Sequence, residues 1–286
     1  AVVEKSGVVF SADKVHSKLL DCAATLSNDY RRRYPLGMYL PKSQVQSPQL
    51  HWLEQADSTN LEMVRISKLP GGSELPHVTV VATANQTAGK GRAGRTWQAP
   101  ADSALAISVL LKPQIAPNDL AHLGWLPLLA GLAMSQTVKQ FLPLAQVGVK
   151  WPNDVQVGAN KISGTLSELL PGHNAVVIGA GLNLTQTSDQ LPTATSTSLA
   201  IEGANLSAQR EVLFDSVLSA YLSHLRHWYS RFVTGNFNAV ACGLQRAVTD
   251  DCITIGRTVR AILPGETELF GTAVGIDESG RLVLDV

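Results

Sequence analysis

Apolar positions follow two rhythms along this chain. From His51 onward, short runs rich in aliphatic and β-branched residues alternate with longer stretches of helical spacing. Val78 to Ala84, Ala104 to Leu111, Gln146 to Lys150, Lys161 to Leu169 and Ala175 to Leu184 predict strands. Thr59 to Lys68, Leu120 to Phe141 and Ala208 to Phe232 predict helices. In the last, Val212, Leu213, Val217, Tyr221, Leu225, Trp228 and Phe232 recur on one face, a stripe that reads as core rather than as a cofactor box. The apolar stretch Leu123 to Met134 contains Pro127 and falls well short of the roughly eighteen residues that a bilayer requires, so it reads as a core helix. After a short helix ending near Arg246, strands are expected at Ile253 to Leu263, Glu268 to Ile276 and Leu282 to Val286, separated by turn signals at Pro264-Gly265 and Glu278-Ser279-Gly280.

Residues 1–49 look different. The Arg31-Arg32-Arg33-Tyr34-Pro35 run and Lys42 to Pro48 read as polar, turn-rich chain loosely tied to the core, with a modest helical pattern only near Val15 to Leu26. The expected division is therefore an N-terminal segment (1–49), an α+β catalytic core (50–246) and a small β domain (247–286). The length of 286 residues and the 45% hydrophobic content suit one substantial core and a lesser one. Lysine plus arginine equals aspartate plus glutamate at 23 each, so no global field draws nucleic acid or an anionic membrane, and any anion must be bound locally. Cys22, Cys242 and Cys252 lack metal-ligand spacing and suit a reducing compartment; with no secretory pattern at the start, a cytoplasmic location is expected.

Local anion chemistry is visible in Gly89-Lys90-Gly91-Arg92-Ala93-Gly94-Arg95-Thr96-Trp97, where three glycines and three cations share nine residues. Glycines free the backbone to approach a ligand, and Lys90, Arg92 and Arg95 can neutralise phosphate or carboxylate. A second cluster comes later: Lys150-Trp151-Pro152-Asn153-Asp154 ends one apolar run and Asn160-Lys161-Ile162-Ser163-Gly164 opens the next. Pro152 breaks the strand, Asn153 and Asp154 offer oxygens for Mg²⁺ or hydroxyls but are also good turn residues, and Lys161 sits at a strand start beside a tight turn. Upstream, Asp57-Ser58-Thr59-Asn60 includes a capping-box pattern between Thr59 and Glu62. Gly179-Ala180-Gly181 lacks the third glycine and following helix of a dinucleotide loop. The seven histidines show no zinc spacing, and there is no Gly-x-Ser-x-Gly elbow.

These three stretches, in this order, resemble the biotin protein ligases, in a form without an N-terminal DNA-binding domain. The resemblance covers the chain from about residue 50 and implies a mixed-sheet biotin/lipoate ligase-like core with a C-terminal SH3-like β-barrel. It implies that biotin and ATP, with Mg²⁺, give biotinyl-5′-AMP and pyrophosphate, and that a lysine of a biotin carboxyl carrier domain then takes the biotin, with no part for nucleic acid or membrane. Lys161, Arg92 and Arg95 become the catalytic cations. Ser58, Thr59, Asn60, Gln86, Gly89, Lys90, Gly91, Arg92, Lys161 and Gly164 become biotin contacts. Arg92, Arg95, Trp97, Asn153, Asp154, Lys161 and Asn183 become ATP contacts, with Asp154 the metal-associated carboxylate and the Thr185 to Ser198 loop a cover over the nucleotide. This chain has Lys90 where many members carry arginine, which keeps the charge but loses the planar fork. The competing readings are a lipoate or octanoate ligase on the same fold, a biotin-responsive repressor and a non-catalytic biotin binder. The first 49 residues show no clear recognition-helix pattern.

Overall fold

The computed structural model describes residues 38–115, 117–170, 175–207, 209–262 and 268–286; the expectations for Val15 to Leu26, the arginine run, Cys22 and Pro264-Gly265 lie outside these. Helix α1 (Pro41–Gln46) leads into strand β1 (Gln49–Leu53), then α2 (Thr59–Ser67), β2 (Thr79–Thr83), the short pair β3 (Gly89–Lys90) and β4 (Thr96–Trp97), and β5 (Ala104–Leu111). A 3₁₀ segment, Pro117–Trp125, precedes α3 (Leu126–Phe141). Next come strands β6 (Val147–Lys150), β7 (Asp154–Val157), β8 (Asn160–Leu170) and β9 (Ala175–Asn183), then α4 (Arg210–Thr234) and α5 (Leu244–Asp251). Strands β10 (Thr258–Ile262), β11 (Glu268–Ile276) and β12 (Leu282–Asp285) close the chain.

Seven strands form one sheet in the order β1-β2-β5-β9-β8-β7-β6. Only the β1–β2 pair is parallel, so the sheet is mixed. Alternation along the central strands splits the core. Leu105, Ile107, Val109, Ile178 and Leu182 point to the face covered by α3 and α4, where Trp125, Phe214, Tyr221 and Phe232 are fully enclosed. The opposite face has a smaller core, in which Val81, Leu110 and Val177 meet Met63 and Ile66 of α2. Because α2 is only 9 residues long, it covers only part of that second face, and no other helix among the described residues shares that core. The last three strands make an antiparallel sheet of their own, β10-β11-β12, in keeping with the small C-terminal β domain expected.

Several local readings need correction. Lys42 to Pro48 is not turn-rich chain loosely tied to the core. Pro41 occupies the first turn of α1, where its missing N–H costs nothing. Leu40 supplies no side-chain cap, and the buried Asp215 carboxylate of α4 does so instead, accepting from Lys42 N at 3.0 Å and Ser43 N at 2.8 Å. Leu40 is fully buried, and the chain then joins the sheet edge as β1, where burial drives the His51 imidazole down to about 4 and keeps it neutral at pH 7. The first strand of the C-terminal sheet begins at Thr258 rather than Ile253, because Ile253 N bonds Val149 O of β6 and Gly256 turns the chain at φ 81°. The short helix α5 starts at Leu244, after Gly243 in a left-handed conformation, rather than ending near Arg246.

Asp215→Ala is expected to destabilise the full chain by roughly 1–3 kcal/mol, since it strips the first turn of α1 of its cap. Urea unfolding measures this, and an unchanged midpoint would mean that residues 40–47 are not held by α4.

Candidate active site

Beyond α2, the open face of the sheet carries glycine where a strand would otherwise project a side chain. Gly179 and Gly181 lie in the middle of β9, and Gly164 lies opposite Gly181 on β8. The dinucleotide-loop reading of this segment is thereby excluded. A Cβ at Gly179 would stand 2.5 Å from Asn60 Oδ1, and one at Gly181 would stand 2.6 Å from the Trp97 ring. At Gly164 it would meet Lys161 Nζ at 3.1 Å and Asp154 Oδ1 at 3.2 Å. These three glycines floor a cavity of about 930 Å³.

At one end of the cavity lies the start of α2. Ser58, not Thr59, is the N-cap, its side chain accepting from Leu61 N at 3.5 Å, so the capping pattern falls one residue earlier than expected. This frees Thr59. Its backbone N–H donates to Gln86 Oε1 at 2.9 Å, and its hydroxyl lies 2.8 Å from Ser108 Oγ of β5. Gln86 is brought there by a parallel bridge to Ala56. Asp57 turns away to the Arg65 guanidinium, which grips both carboxylate oxygens at 2.7 and 2.5 Å and holds the acid down at about 2.

The glycine-basic loop forms another side. The β3–β4 ladder pairs Gly89 with Trp97 and Lys90 with Thr96, and a turn over Arg92–Gly94 places Ala93 and Gly94 at positive φ. Lys90, Arg92 and Arg95 are exposed at the cavity and take part in no ion pair among the described residues. Arg92 has a single long contact, 3.4 Å to Asn153 Oδ1. Unneutralised cations on a loop of this kind offer charge to an anionic ligand.

Facing that loop is the turn from β6 to β7. A cis Trp151–Pro152 bond and the pairing of Lys150 with Asp154 close it. Asn153 is held through its own amide, Nδ2 to Thr165 O at 2.7 Å. A register shift between β7 and β8 at Val155/Gln156 brings Lys161 to the same side as Asp154, and Lys161 Nζ lies 2.5 Å from Asp154 Oδ1. The start of β8 is clamped by the loop returning from β9: Lys161 N bonds Thr195 O at 2.7 Å and Thr197 N bonds Lys161 O at 2.8 Å.

Of the residues singled out from the sequence, Ser58, Thr59, Asn60, Gln86, Lys90, Gly91, Arg92, Arg95, Trp97, Asn153, Asp154, Lys161 and Gly164 line this one cavity. Gly89 and Asn183 do not. Gly89 is pressed between Gln86 and Trp97, and Asn183 uses its amide to bind Thr197 O at 2.9 Å. No described residue of 185–198 lines the cavity; the segment braces Lys161 from behind. Sequence reasoning missed the wall provided by the C-terminal unit, to which Val259 to Ile262, Leu269 and Leu284 of the sheet and the flanking Thr254 and Arg281 contribute. Strand alternation gave no sign that those side chains face another unit. The wall is fixed by two indoles, Trp151 Nε1 donating to Gly280 O at 3.0 Å and Trp125 Nε1 to Glu278 O at 2.8 Å.

The cavity thus has amide and hydroxyl partners at one end and lysine and arginine cations at the other, an arrangement for a ligand with a neutral hydrogen-bonding part and an acid group. Comparison with known proteins agrees. Residues 53–183 match the biotin/lipoate A/B protein ligase family, and residues 254–286 match the biotin protein ligase C terminal domain. A biotin--[acetyl-CoA-carboxylase] ligase of Mycobacterium tuberculosis is 34% identical over 241 residues, 83% of this chain and 84% of the relative. The chain belongs to the biotin protein ligases. A relative of the same description from Paracoccus denitrificans is 31% identical over 81% of this chain and 92% of its own length. The solved biotin protein ligase from Aquifex aeolicus in complex with biotin and ATP is similar with a TM-score of 0.65 at 27% identity, covering 82% of this chain and 91% of that one.

Gly181 carries no positive φ, so alanine there fits the backbone and its effect is steric alone. Gly181→Ala is expected to displace the Trp97 indole at a stability cost below about 2 kcal/mol. Tryptophan emission, read as a difference against Trp97→Phe, checks this, and an unshifted Trp97 signal would mean that the ring does not cover the floor.

Proposed function

We propose that this chain activates biotin with ATP to biotinyl-5′-AMP and transfers the biotin to a lysine of a carboxylase carrier domain. The observation that carries the reading is the Lys161–Asp154 pair on its glycine floor, set between the Thr59/Gln86 end and three cations that have no ion-pair partner among the described residues. The ureido ring of biotin meets the hydroxyl and amide of Thr59 and Gln86, and its valeryl chain runs over the glycines beneath Trp97. The carboxylate then lies beside Lys161.

In the first step a biotin carboxylate oxygen attacks the α-phosphorus of ATP, and the bond to the bridging oxygen breaks to release pyrophosphate. No protein nucleophile is needed. The chain's contribution is to bring two anions together and to stabilise the charge that builds on the α-phosphoryl oxygens. Lys161 is held for this by Asp154 and by the backbone clamp on both sides of its own residue. Arg92 and Arg95 extend the positive surface toward the departing pyrophosphate. In the second step the ε-amine of the carrier lysine attacks the acyl carbon, and AMP leaves with the bonding pair. A loop that closes over the mixed anhydride protects it from water, which the glycines at 89, 91 and 94 permit.

Among the described residues no group of three or more His, Cys, Asp or Glu is placed to hold a metal ion. Asn153 and Asp154 fit Mg²⁺ arriving with the nucleotide, since this ion takes one or two carboxylates and fills its shell with phosphate oxygens and water. It would supply charge neutralisation at the phosphates. Biotin is favoured over lipoate or octanoate because the C-terminal match is to the biotin ligases and because a fatty acyl chain has no use for the hydrogen-bonding end at Thr59 and Gln86. No described helix is long and apolar enough to cross a membrane. Action on a carrier domain in the cytoplasm is part of this proposal.

Lys161→Ala is expected to lower the rate of biotinyl-AMP formation on the order of 10²-fold or more while leaving biotin affinity within a few-fold, because the lysine acts on developing charge rather than on the neutral ring. Single-turnover assays with mass-spectrometric detection of biotinyl-AMP make the measurement. Adenylation at the wild-type rate would remove Lys161 from the chemistry.

A further inference from the structure

Glu168, near the far end of β8, does not line the cavity, yet it begins a hydrogen-bond chain that ends there. Its exposed carboxylate accepts from Asn60 Nδ2 at 2.6 Å. Asn60 lies over the gap at Gly179, buried, with Oδ1 2.6 Å from Ser108 Oγ. Ser108, also buried, is 2.8 Å from Thr59 Oγ1.

The direction of each bond follows from what each group can do. A carboxylate only accepts, so Asn60 must present its nitrogen to Glu168 and its oxygen to Ser108. An amide oxygen only accepts, so the single Ser108 proton goes to Asn60. The Thr59 hydroxyl then has two acceptors behind it, Ser108 Oγ at 2.8 Å and Gln86 Oε1 at 3.3 Å, and with either one its proton points into the protein. Thr59 therefore faces the cavity with lone pairs alone. Independently, the Thr59 backbone N–H fixes Gln86 with its oxygen inward, so that its NH₂ is the free end. The result is one acceptor and one donor side by side, the complement of a urea N–H and C=O. Were Asn60 to turn over, its NH₂ would donate to Ser108 and Ser108 would donate to Thr59, so the Thr59 proton would lose its 2.8 Å acceptor and be shared between the longer contact to Gln86 Oε1 at 3.3 Å and the ligand side, weakening Thr59 as an acceptor.

We propose that Glu168 is a positioning residue that sets the donor and acceptor polarity of the ureido end of the cavity, acting through Asn60 and Ser108 on Thr59. This rests on the ligase reading of the site. It gives a solvent-facing charge a part in recognising a neutral ring that it never touches.

Isothermal titration of the full chain with biotin and, separately, with ATP tests this. Glu168→Met removes the acceptor and is expected to weaken biotin binding about tenfold, with ATP affinity and thermal midpoint unchanged. Glu168→Gln keeps an oxygen that can accept from Asn60 and should bind biotin within about threefold of the wild type. Thr59→Ala, made in both backgrounds, should cost about tenfold in the wild type and less than about threefold beside Glu168→Met, because Thr59 is a weakened acceptor there. Wild-type biotin affinity in Glu168→Met, or full additivity of the two substitutions, would overturn the proposal. Equal loss of biotin and ATP binding would also overturn it, by showing a general structural role. If the unmutated chain bound ATP but no biotin, the ligase reading itself would fall and the proposal with it.

Discussion

The site depends on an open stretch of sheet. Among the described residues, seven strands are packed on one face by α3 and α4 and on the other by the 9-residue α2, so part of a buried-type sheet faces a cavity. Gly164, Gly179 and Gly181 keep that part open, because a methyl group at Gly179 or Gly181 would collide with Asn60 or Trp97, and one at Gly164 would crowd Lys161 and Asp154. Everything chemical is hung around this gap. The polar cluster at the start of α2 lies at one end and the Lys161–Asp154 pair at the other, with the basic loop across the top. The floor is made of stiff, hydrogen-bonded strand, so the distance between the two ends is fixed by the sheet rather than by loops.

The second constraint is the seam with the C-terminal sheet. Trp151 sits in the turn that carries Asn153 and Asp154, and it is tied to the C-terminal unit twice, through its backbone N–H to Thr254 Oγ1 at 3.0 Å and through its indole to Gly280 O. Trp125 does the same from the start of α3. Lys139 on α3 also pairs with Asp251 at the end of α5. The turn that presents the proposed metal-associated carboxylate is therefore braced by a unit distant in sequence, and the small sheet is a wall of the site as well as an appendage.

Legibility in the sequence depended on whether the information was local. The central strands and α4 were legible because their apolar runs and stripes are local and strong. The basic loop, the Lys150 to Asp154 turn and Lys161 were legible as chemistry because glycine, cation and Pro-Asn-Asp clusters have few structural uses in combination. Strand β1 and helix α1 were not, since Gln49–Leu53 contains His51 and the cap of α1 comes from Asp215, 172 residues from Ser43. The N-cap of α2 was misplaced by one because Ser58 and Thr59 are both good caps; what decides between them is Ser108 and Gln86, which claim Thr59 from other parts of the chain. The C-terminal wall and the route from Glu168 to Thr59 had no local signature, because both are made by contacts between units and across strands.

The central claim, that this cavity joins a urea-bearing acid to a nucleotide, is tested most directly by isotope exchange between ATP and pyrophosphate, supported in parallel by biotin, lipoate and octanoate. Exchange requires the acid to attack the α-phosphorus reversibly and needs no carrier domain. The account predicts exchange with biotin at a rate at least about 10²-fold above that with either other acid, because only biotin satisfies the donor and acceptor pair at Thr59 and Gln86. Faster exchange with lipoate or octanoate, or biotin binding with no exchange, would contradict it.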